Sequence, residues 1–204
     1  MGKLERKRIG IFGGTFDPIH NGHIALARAA MERENLDLVL FVVAANPVHK
    51  QPEASAQARL AMVMAALDAE PKLVCCDVEY TMPEPVYAVD TVLRLKEQFP
   101  DADFVFILGS DAAASFPYWC GSKRLEQLVQ VACFPRRGDI QFEAKTIESR
   151  AGDGFTFTSH VLELPAISSS AIREKIHAGI DASEDLPDAA AEYIRKHRLY
   201  RRME

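Results

Sequence analysis

One run of eight apolar residues limits the folds open to this chain more than any other feature. Residues 38–45 read LVLFVVAA, with no polar side chain to face water on either side. A strand that is exposed on one face alternates apolar and polar residues, whereas the central strand of a parallel sheet is covered on both faces. The run therefore predicts an α/β protein built around a buried central strand.

The segments around this strand alternate between strand-like and helix-like patterns. Strands are predicted over 8–12, 38–45, 73–78 and 103–108, and helices over 21–34, 56–70 and 89–98. This alternation predicts a doubly wound, Rossmann-like parallel sheet with helices on both faces. Ligands of such sheets bind beyond the carboxyl ends of the strands, where Gly13, Asn46 and Gly109 fall.

The second half of the chain has a weaker pattern. Residues 136–159 are polar and contain glycine, which predicts loops or an excursion from the fold rather than a second domain. A last strand is predicted over 161–164, followed by C-terminal helices over 169–177 and 187–197. The length of 204 residues suits a single domain over 1–204.

Composition excludes several classes of protein. The formal net charge of −5 argues against a nucleic-acid binder, and no apolar run is long enough to span a membrane. The basic start of the chain is not followed by the apolar stretch of a secretory signal, so a cytoplasmic location is predicted. Free thiols are expected there for Cys75, Cys76, Cys120 and Cys133. Nothing in the sequence indicates an oligomeric state.

Two glycines, Gly13 and Gly14, follow the first predicted strand and precede a helix. Glycines at such a turn allow backbone N–H groups to approach a ligand closely, and the helix start favours an anion. The spacing matches neither the dinucleotide fingerprint nor the P-loop pattern. On these residues alone, a phosphate-binding loop and an ordinary tight turn are equally good interpretations.

His20 and His23 lie three residues apart at the start of the next helix and share one of its sides. Two imidazoles beside a phosphate-binding turn would donate hydrogen bonds to phosphate oxygens. The alternatives are a helix cap or a core histidine for one of them, and a metal site for which no third ligand stands nearby.

A serine cluster opens the predicted helix that begins near Ser169. The segment Ile167–Arg173 reads ISSSAIR, and its hydroxyl and backbone N–H groups can hold an anion beside the guanidinium of Arg173. The alternative interpretation is an ordinary helix N-cap.

Taken together, these elements resemble a known family. GGTFDPIHNGH is similar to the N-terminal motif of the nucleotidylyltransferase superfamily, and ISSSAIR resembles its C-terminal motif. The resemblance is greatest to the bacterial nicotinate-nucleotide adenylyltransferases and spans nearly the whole chain. The further matching segments are Pro47–Lys50, Gly109–Asp111, Ser115–Trp119, Arg136–Gly138 and Tyr193–Tyr200. Ala88, Cys120 and Asp139 depart from the family pattern, and Ala88 lacks a hydroxyl that helps to hold the nicotinate carboxylate.

The resemblance implies transfer of adenylate from ATP to nicotinate mononucleotide, with Mg²⁺ carried by the nucleotide rather than by ligands of the protein. It implies catalytic roles for His20, His23 and Arg173. It places ATP on Gly13, Gly14, Thr15, Phe16, Ser168 and Ser169. It places the acceptor on Lys50, Tyr87, Ala88, Asp111, Trp119 and Arg137.

Other functions remain open at this point. Within the superfamily, the acceptor would be nicotinamide mononucleotide or phosphopantetheine. From another class, a non-catalytic nucleotide sensor would be expected to lack His20, His23 or Arg173, and all three are present. A dinucleotide-dependent redox enzyme would need the glycine fingerprint that is missing.

Overall fold

The computed structural model describes residues 6–135, 157–163 and 166–201. These residues form a six-stranded, all-parallel sheet with the strand order β3-β2-β1-β4-β5-β6. The strands are β1 (Arg8–Gly14), β2 (Leu38–Val43), β3 (Leu73–Cys76), β4 (Asp103–Gly109), β5 (Gln130–Phe134) and β6 (Phe157–Ser159). This is the strand order of the doubly wound Rossmann fold that the sequence predicts.

Helices cover both faces of the sheet. They are α1 (Asn21–Arg33), α2 (Ala56–Leu67), α3 (Ala88–Gln98), α4 (Ser110–Ser115), α5 (Ser122–Leu128), α6 (Ser169–His177) and α7 (Asp188–His197). None of the described helices is long and apolar enough to cross a membrane. That the whole chain forms one domain stays a prediction.

The core consists of two apolar layers separated by the sheet. Alternate residues of each strand point into opposite layers: Phe12 and Phe41 face α1, α2, α6 and α7, while Ile11 and Leu40 face α3, α4 and α5. Every residue of β2 after Leu38 is buried. The structure thus confirms the prediction of a central strand that is covered on both sides.

The strand order reverses at β1. This strand pairs with β2 on one side, where Gly14 lies opposite Val43, and with β4 on the other, where Ile11 lies opposite Phe106. The two neighbours of β1 lead to helices on opposite faces, so a crevice opens beyond the carboxyl ends of β1 and β4. The motif at 13–23 begins at this crevice.

Two predictions for the second half of the chain are wrong within the described residues, while residues 136–156 and 164 lie outside them. Among the described residues, the last strand lies at Phe157–Ser159, within the stretch assigned to loops, and no strand lies at 161–163. In the described part of 161–164, Leu162 forms an isolated β-bridge, and its N–H donates to the carbonyl of Pro135 at 3.0 Å. The β6 strand is held by polar groups as well as by packing, since Thr158 Oγ1 donates to Glu34 Oε1 at 2.6 Å. Apolar pattern alone does not detect such a strand.

The cysteines are free thiols, as predicted. Cys133 is buried in β5, while Cys75 and Cys76 are half-buried in β3. Burial raises the pKa of both Cys75 and Cys133 to about 12, which keeps these thiols neutral and unreactive. Their contribution is packing.

Candidate active site

The connection from β1 to α1 places an aromatic side chain beneath the crevice. Phe16 has a φ of +49° and is 2% exposed. Its ring packs edge-on against Phe12 and His23, with centroid distances of 5.7 and 5.0 Å. The side chain predicted to bind ATP therefore lies in the core and supports His23 from below.

The two glycines of the motif differ in what surrounds them. A Cβ added at Gly14 would lie 2.8 Å from the ring of Phe16, closer than real contacts allow. A Cβ added at Gly13 would meet no atom within 4 Å. Gly14 thus permits the packing of Phe16, whereas Gly13 leaves room for a ligand at the end of β1.

The two histidines form a stacked pair at the start of α1. Their ring centroids are 3.6 Å apart, and His20 is 3% exposed. The backbone N–H of His20 donates a 3.1 Å hydrogen bond to Nδ1 of His23. Because Nδ1 accepts, the proton of the neutral His23 ring is on Nε2. Gly22 allows this stacking, since a Cβ there would lie 3.0 Å from the ring of His20.

The serine–arginine segment lies against the first motif, as the interpretation of a shared site requires. Ser169 Oγ donates to the carbonyl of Pro18 at 2.9 Å, and Arg173 Nη1 donates to the carbonyl of Asp17 at 2.8 Å. Ser168 is the N-cap of α6 and accepts a hydrogen bond from the N–H of Ala171 at 3.2 Å. The segment therefore caps the helix and also lies at the candidate site, so the two interpretations of the sequence are compatible.

Asp17, a position of the first motif to which the sequence analysis assigned no role, is a structural anchor. The residue is 5% exposed, and its carboxylate accepts hydrogen bonds from the backbone N–H groups of Glu53 and Ala54, at 2.8 and 3.1 Å. The hydroxyl of Tyr200 donates to it at 2.7 Å. Burial and the Asp17 carboxylate raise the pKa of Tyr200, so this hydroxyl remains a donor.

Glu53 gives Arg173 a partner that was also not predicted. Its Oε1 lies 2.7 Å from Nε of Arg173, and its Oε2 lies 2.9 Å from Nε2 of His177. Both side chains project from α6 onto the loop before α2. This pairing orients the guanidinium, and it involves residues more than one hundred positions apart in sequence, which no local pattern reveals.

A buried arginine holds the loops that follow β1 and β2. Arg59 is 1% exposed, and its guanidinium donates to the carbonyls of Thr15, Ala44 and Ala45 at 2.8, 2.7 and 3.0 Å. A charge is rarely buried unless hydrogen bonds satisfy it. The sequence offered one signal for this residue, an arginine within the apolar stretch of α2, and the predicted site did not include it.

A cavity of about 300 Å³ lies beside these loops. At one end it is lined by residues 13–15, where β1 ends, called the glycine loop here, and at the other by the start of α3 and by an aromatic side chain. The predicted site residues in its lining are Gly13, Gly14, Thr15, Lys50, Tyr87, Ala88 and Trp119. The structure therefore brings ATP-binding and acceptor-binding candidates together around one space.

Trp119 is fixed at the wall of this cavity. Its indole Nε1 donates to Ser115 Oγ at 3.0 Å, and its ring packs against Phe106 and Phe116 with centroid distances of 6.1 and 5.5 Å. The held ring offers a flat surface for stacking. Cys120 lines the same wall.

Two predicted acceptor residues are not found in the cavity lining. Asp111 is exposed in the first turn of α4, at the carboxyl end of β4, and Arg137 lies outside the described residues. Within the described ranges, no group of three or more His, Cys, Asp and Glu side chains is placed to hold a metal ion.

Comparison with known proteins places this arrangement in a family. The cytidylyltransferase-like family matches residues 11–175. A protein of Synechococcus sp. (strain JA-3-3Ab), named a probable nicotinate-nucleotide adenylyltransferase, is 36% identical over 200 residues, which cover 96% of each chain. A Thermus thermophilus protein with the same name is 37% identical over 194 residues, covering 95% of this chain and all of that one.

Solved structures share the fold. Nicotinic acid mononucleotide adenylyltransferase of Plasmodium falciparum, complexed with NaAD, superposes with a TM-score of 0.76 at 21% identity. The match covers 95% of this chain and 97% of the other. From the family match and the relatives above 30% identity, the chain belongs to the cytidylyltransferase-like family and, within it, to the nicotinate-nucleotide adenylyltransferases.

Proposed function

We propose that the protein transfers the adenylyl group of ATP to the phosphate of nicotinate mononucleotide, giving nicotinate adenine dinucleotide and pyrophosphate. The observation that carries the proposal is the shared cavity, which has the glycine loop at one end and the start of α3 with Trp119 at the other. An acceptor that carries a phosphate and an aromatic ring matches both ends. The names of the full-length relatives support the same reaction.

The acceptor ring would lie at the α3 end. The first N–H groups of a helix lack partners within the helix, and the helix dipole favours an anion there. Ala88 is the first residue of α3, and Tyr87 is its N-cap. A nicotinate carboxylate can therefore bind backbone N–H groups without a side-chain hydroxyl at position 88, while Trp119 stacks on the ring. This arrangement favours nicotinate over nicotinamide.

The reacting phosphates would lie near the histidines. The acceptor phosphate is largely ionised near neutral pH, because a phosphate monoester has its second pKa at about 6. One of its oxygens attacks the α-phosphorus in line, a P–O bond forms, and the bond to the β-phosphate oxygen breaks. No proton needs to be removed from the nucleophile. His23, with its proton on Nε2, would donate to an α-phosphate oxygen, where negative charge grows in the transition state.

The departing pyrophosphate would be held at the start of α6. His20, Ser168, Ser169 and Arg173 are proposed to contact the β- and γ-phosphates, with Lys50 approaching from the cavity side. The guanidinium of Arg173 has five N–H donors, and its bonds to Glu53 and Asp17 use two of them. Donors therefore remain for a phosphate while the guanidinium stays oriented.

We further propose that Mg²⁺ arrives with ATP and is coordinated mainly by its phosphates, as is usual for this ion. Titration calorimetry should then show Mg²⁺ binding in the presence of an ATP analogue and none to the protein alone. Strong binding to the protein alone would contradict this. Asp111, Arg137 and the backbone of Phe16 are proposed to contribute to substrate binding, and the cytoplasmic location stays a prediction.

A pyrophosphate-release assay tests the function. The protein is supplied with ATP and, separately, with nicotinate mononucleotide, nicotinamide mononucleotide or phosphopantetheine. We expect release mainly with the first. No release with either pyridine mononucleotide would overturn the proposal, and ATP binding without any turnover would favour a nucleotide sensor.

A further inference from the structure

One acidic side chain lines the cavity without a part in the proposed mechanism. Glu79 follows β3 in the short helical turn at Val78–Thr81, and its side chain contributes to the cavity wall. A carboxylate is an unexpected neighbour for an acceptor that carries two anionic groups. Its place in the cavity therefore calls for a specific partner on the ligand.

The hydrogen bonds of Glu79 locate it between the two ends of the cavity. Its Oε1 accepts from Thr91 Oγ1 at 2.8 Å, and Thr91 lies in the first turns of α3. The backbone N–H of Ala45 also donates to the carboxylate. Ala45 lies just beyond β2, where the preceding residue donates its N–H to the carbonyl of Gly14. Glu79 is thus bonded to the acceptor end on one side and beside the glycine loop on the other.

The ligand group between those ends is the ribose. In a mononucleotide whose ring lies at α3 and whose phosphate lies at the glycine loop, the sugar occupies the middle. Nicotinate mononucleotide has an anionic ring carboxylate and an anionic phosphate, so its ribose hydroxyls are its main hydrogen-bond donors. An ionised carboxylate only accepts, and it has about four lone-pair sites, of which Thr91 and Ala45 occupy two.

Three groups around Glu79 favour its carboxylate form against the effect of burial. Burial raises the pKa of Glu79, while the hydrogen bonds from Thr91 and Ala45 and the positive charge of Arg59 act in the opposite direction. Burial is the largest of these effects, so the pKa of Glu79 is raised overall, and the three groups offset part of the cost of burying the charge. A ribose hydroxyl would add a further hydrogen-bond donor to this carboxylate without adding charge.

We propose that Glu79 binds a ribose hydroxyl of the acceptor nucleotide and makes the site selective for a ribonucleotide over its deoxy analogues. This inference rests on the proposed function and adds a contact for the sugar. Glu79 would be a binding residue, and the reacting phosphates would not depend on it directly.

Crossing a substitution with substrate analogues tests the contact. Glu79→Gln keeps the shape of the side chain and removes its charge, and it is assayed with nicotinate mononucleotide and with the 2′-deoxy and 3′-deoxy analogues. In the unsubstituted protein, loss of the bonded hydroxyl should lower kcat/KM about 10- to 100-fold, the range for a hydrogen bond to a charged group. Glu79→Gln should lower kcat/KM for the natural acceptor about 10-fold or more, and removing the hydroxyl should then cost less than about 3-fold.

Controls separate this contact from a structural effect. Glu97→Gln makes the same chemical change at an exposed position of α3, and it should behave as the unsubstituted protein. The KM for ATP should stay within about 2-fold in Glu79→Gln, since a binding loss confined to the acceptor leaves ATP unaffected. If Glu79→Gln does not fold, Glu79→Asp is used, and it should reduce the discrimination between ribose and deoxyribose.

The outcomes distinguish the inference from the function. If the deoxy analogue lowers kcat/KM by the same factor in Glu79→Gln as in the unsubstituted protein, the two losses are independent. Glu79 would then support the fold only, and the inference would be overturned. A loss confined to nicotinamide mononucleotide would show that Glu79 accepts from a ring amide instead, and would also overturn it. An unsubstituted protein that is inactive with nicotinate mononucleotide would overturn the function itself.

Discussion

The hydroxyl of Tyr200 donates a 2.7 Å hydrogen bond to Oδ1 of Asp17, and so connects the end of the described chain to the first motif. Both residues are buried. Tyr200→Phe leaves the ring in place and removes one donor from a buried carboxylate. We expect the free energy of unfolding to fall by about 1.5–3 kcal/mol, the range for hydrogen bonds to charged groups.

Urea denaturation measures this loss as a lower midpoint with an unchanged slope. Tyr118→Phe removes the same atom from a side chain that is 86% exposed and should leave the midpoint unchanged. Equal midpoints for Tyr200→Phe and the unsubstituted protein would contradict the anchoring role.

His23→Ala removes the proposed donor to the α-phosphate. Turnover should fall about 10²-fold or more, the typical cost of one preorganised transition-state donor. The KM for ATP should change much less, because the hydrogen bond from His23 to the α-phosphate oxygen strengthens only as negative charge develops there in the transition state. Steady-state kinetics with His197→Ala, an exposed histidine of α7, provide the matched control. Near-normal turnover of His23→Ala would remove this residue from the mechanism.

Alanine at Gly14 should lower stability, whereas alanine at Gly13 should weaken ATP binding. Gly14→Ala forces the Phe16 ring to move, because the new Cβ would lie 2.8 Å from it. Overpacking of this kind costs about 1–3 kcal/mol of stability. Gly13→Ala places its methyl group in open space and should leave stability unchanged while raising the KM for ATP. Thermal denaturation measures the stability of each variant, and ATP titrations measure its nucleotide binding. Equal losses of stability in Gly14→Ala and Gly13→Ala would contradict the different roles of the two glycines.

Glu34 should make stability depend on pH. Burial raises its pKa, but hydrogen bonds from Thr158, His160 and Gln130 together hold the pKa below its ordinary value. A group whose pKa is lowered by folding contributes stability above its unfolded pKa and loses it as the pH falls through the folded value. The advantage of the unsubstituted protein over Glu34→Gln should therefore shrink as the pH falls from about 6 to about 3. Urea denaturation across that range checks it, and a constant difference would disprove the linkage.

The parts of the fold that the sequence predicted are those with local signals. The apolar run of β2, the glycines at the end of β1 and the apolar periodicity of α1 each depend on neighbours in sequence. The strand β5 was not predicted, because its five residues QVACF end close to a polar stretch and resemble the end of a helix. Position in the sheet, between β4 and β6, decides their conformation.

The same limit applies to the site. Cavity residues such as Gly13 and Trp119 were predicted because they stand in motifs. Glu53, Arg59 and Glu79 were not, since each acts on a partner that only the fold brings near. Such supporting contacts leave no spacing rule in the sequence, although they determine where the predicted side chains point.

The guanidinium of Arg59 donates hydrogen bonds to three backbone carbonyls. In a continuing sheet, the N–H groups of a neighbouring strand would donate these bonds. The chain leaves the sheet after β1 and after β2, and the carbonyls of Thr15, Ala44 and Ala45 would lose ladder partners there. One planar side chain supplies the donors, so these three carbonyls keep hydrogen-bond partners where the strand ends separate. An apolar replacement aimed at a more stable core would remove the donors that keep this crevice open.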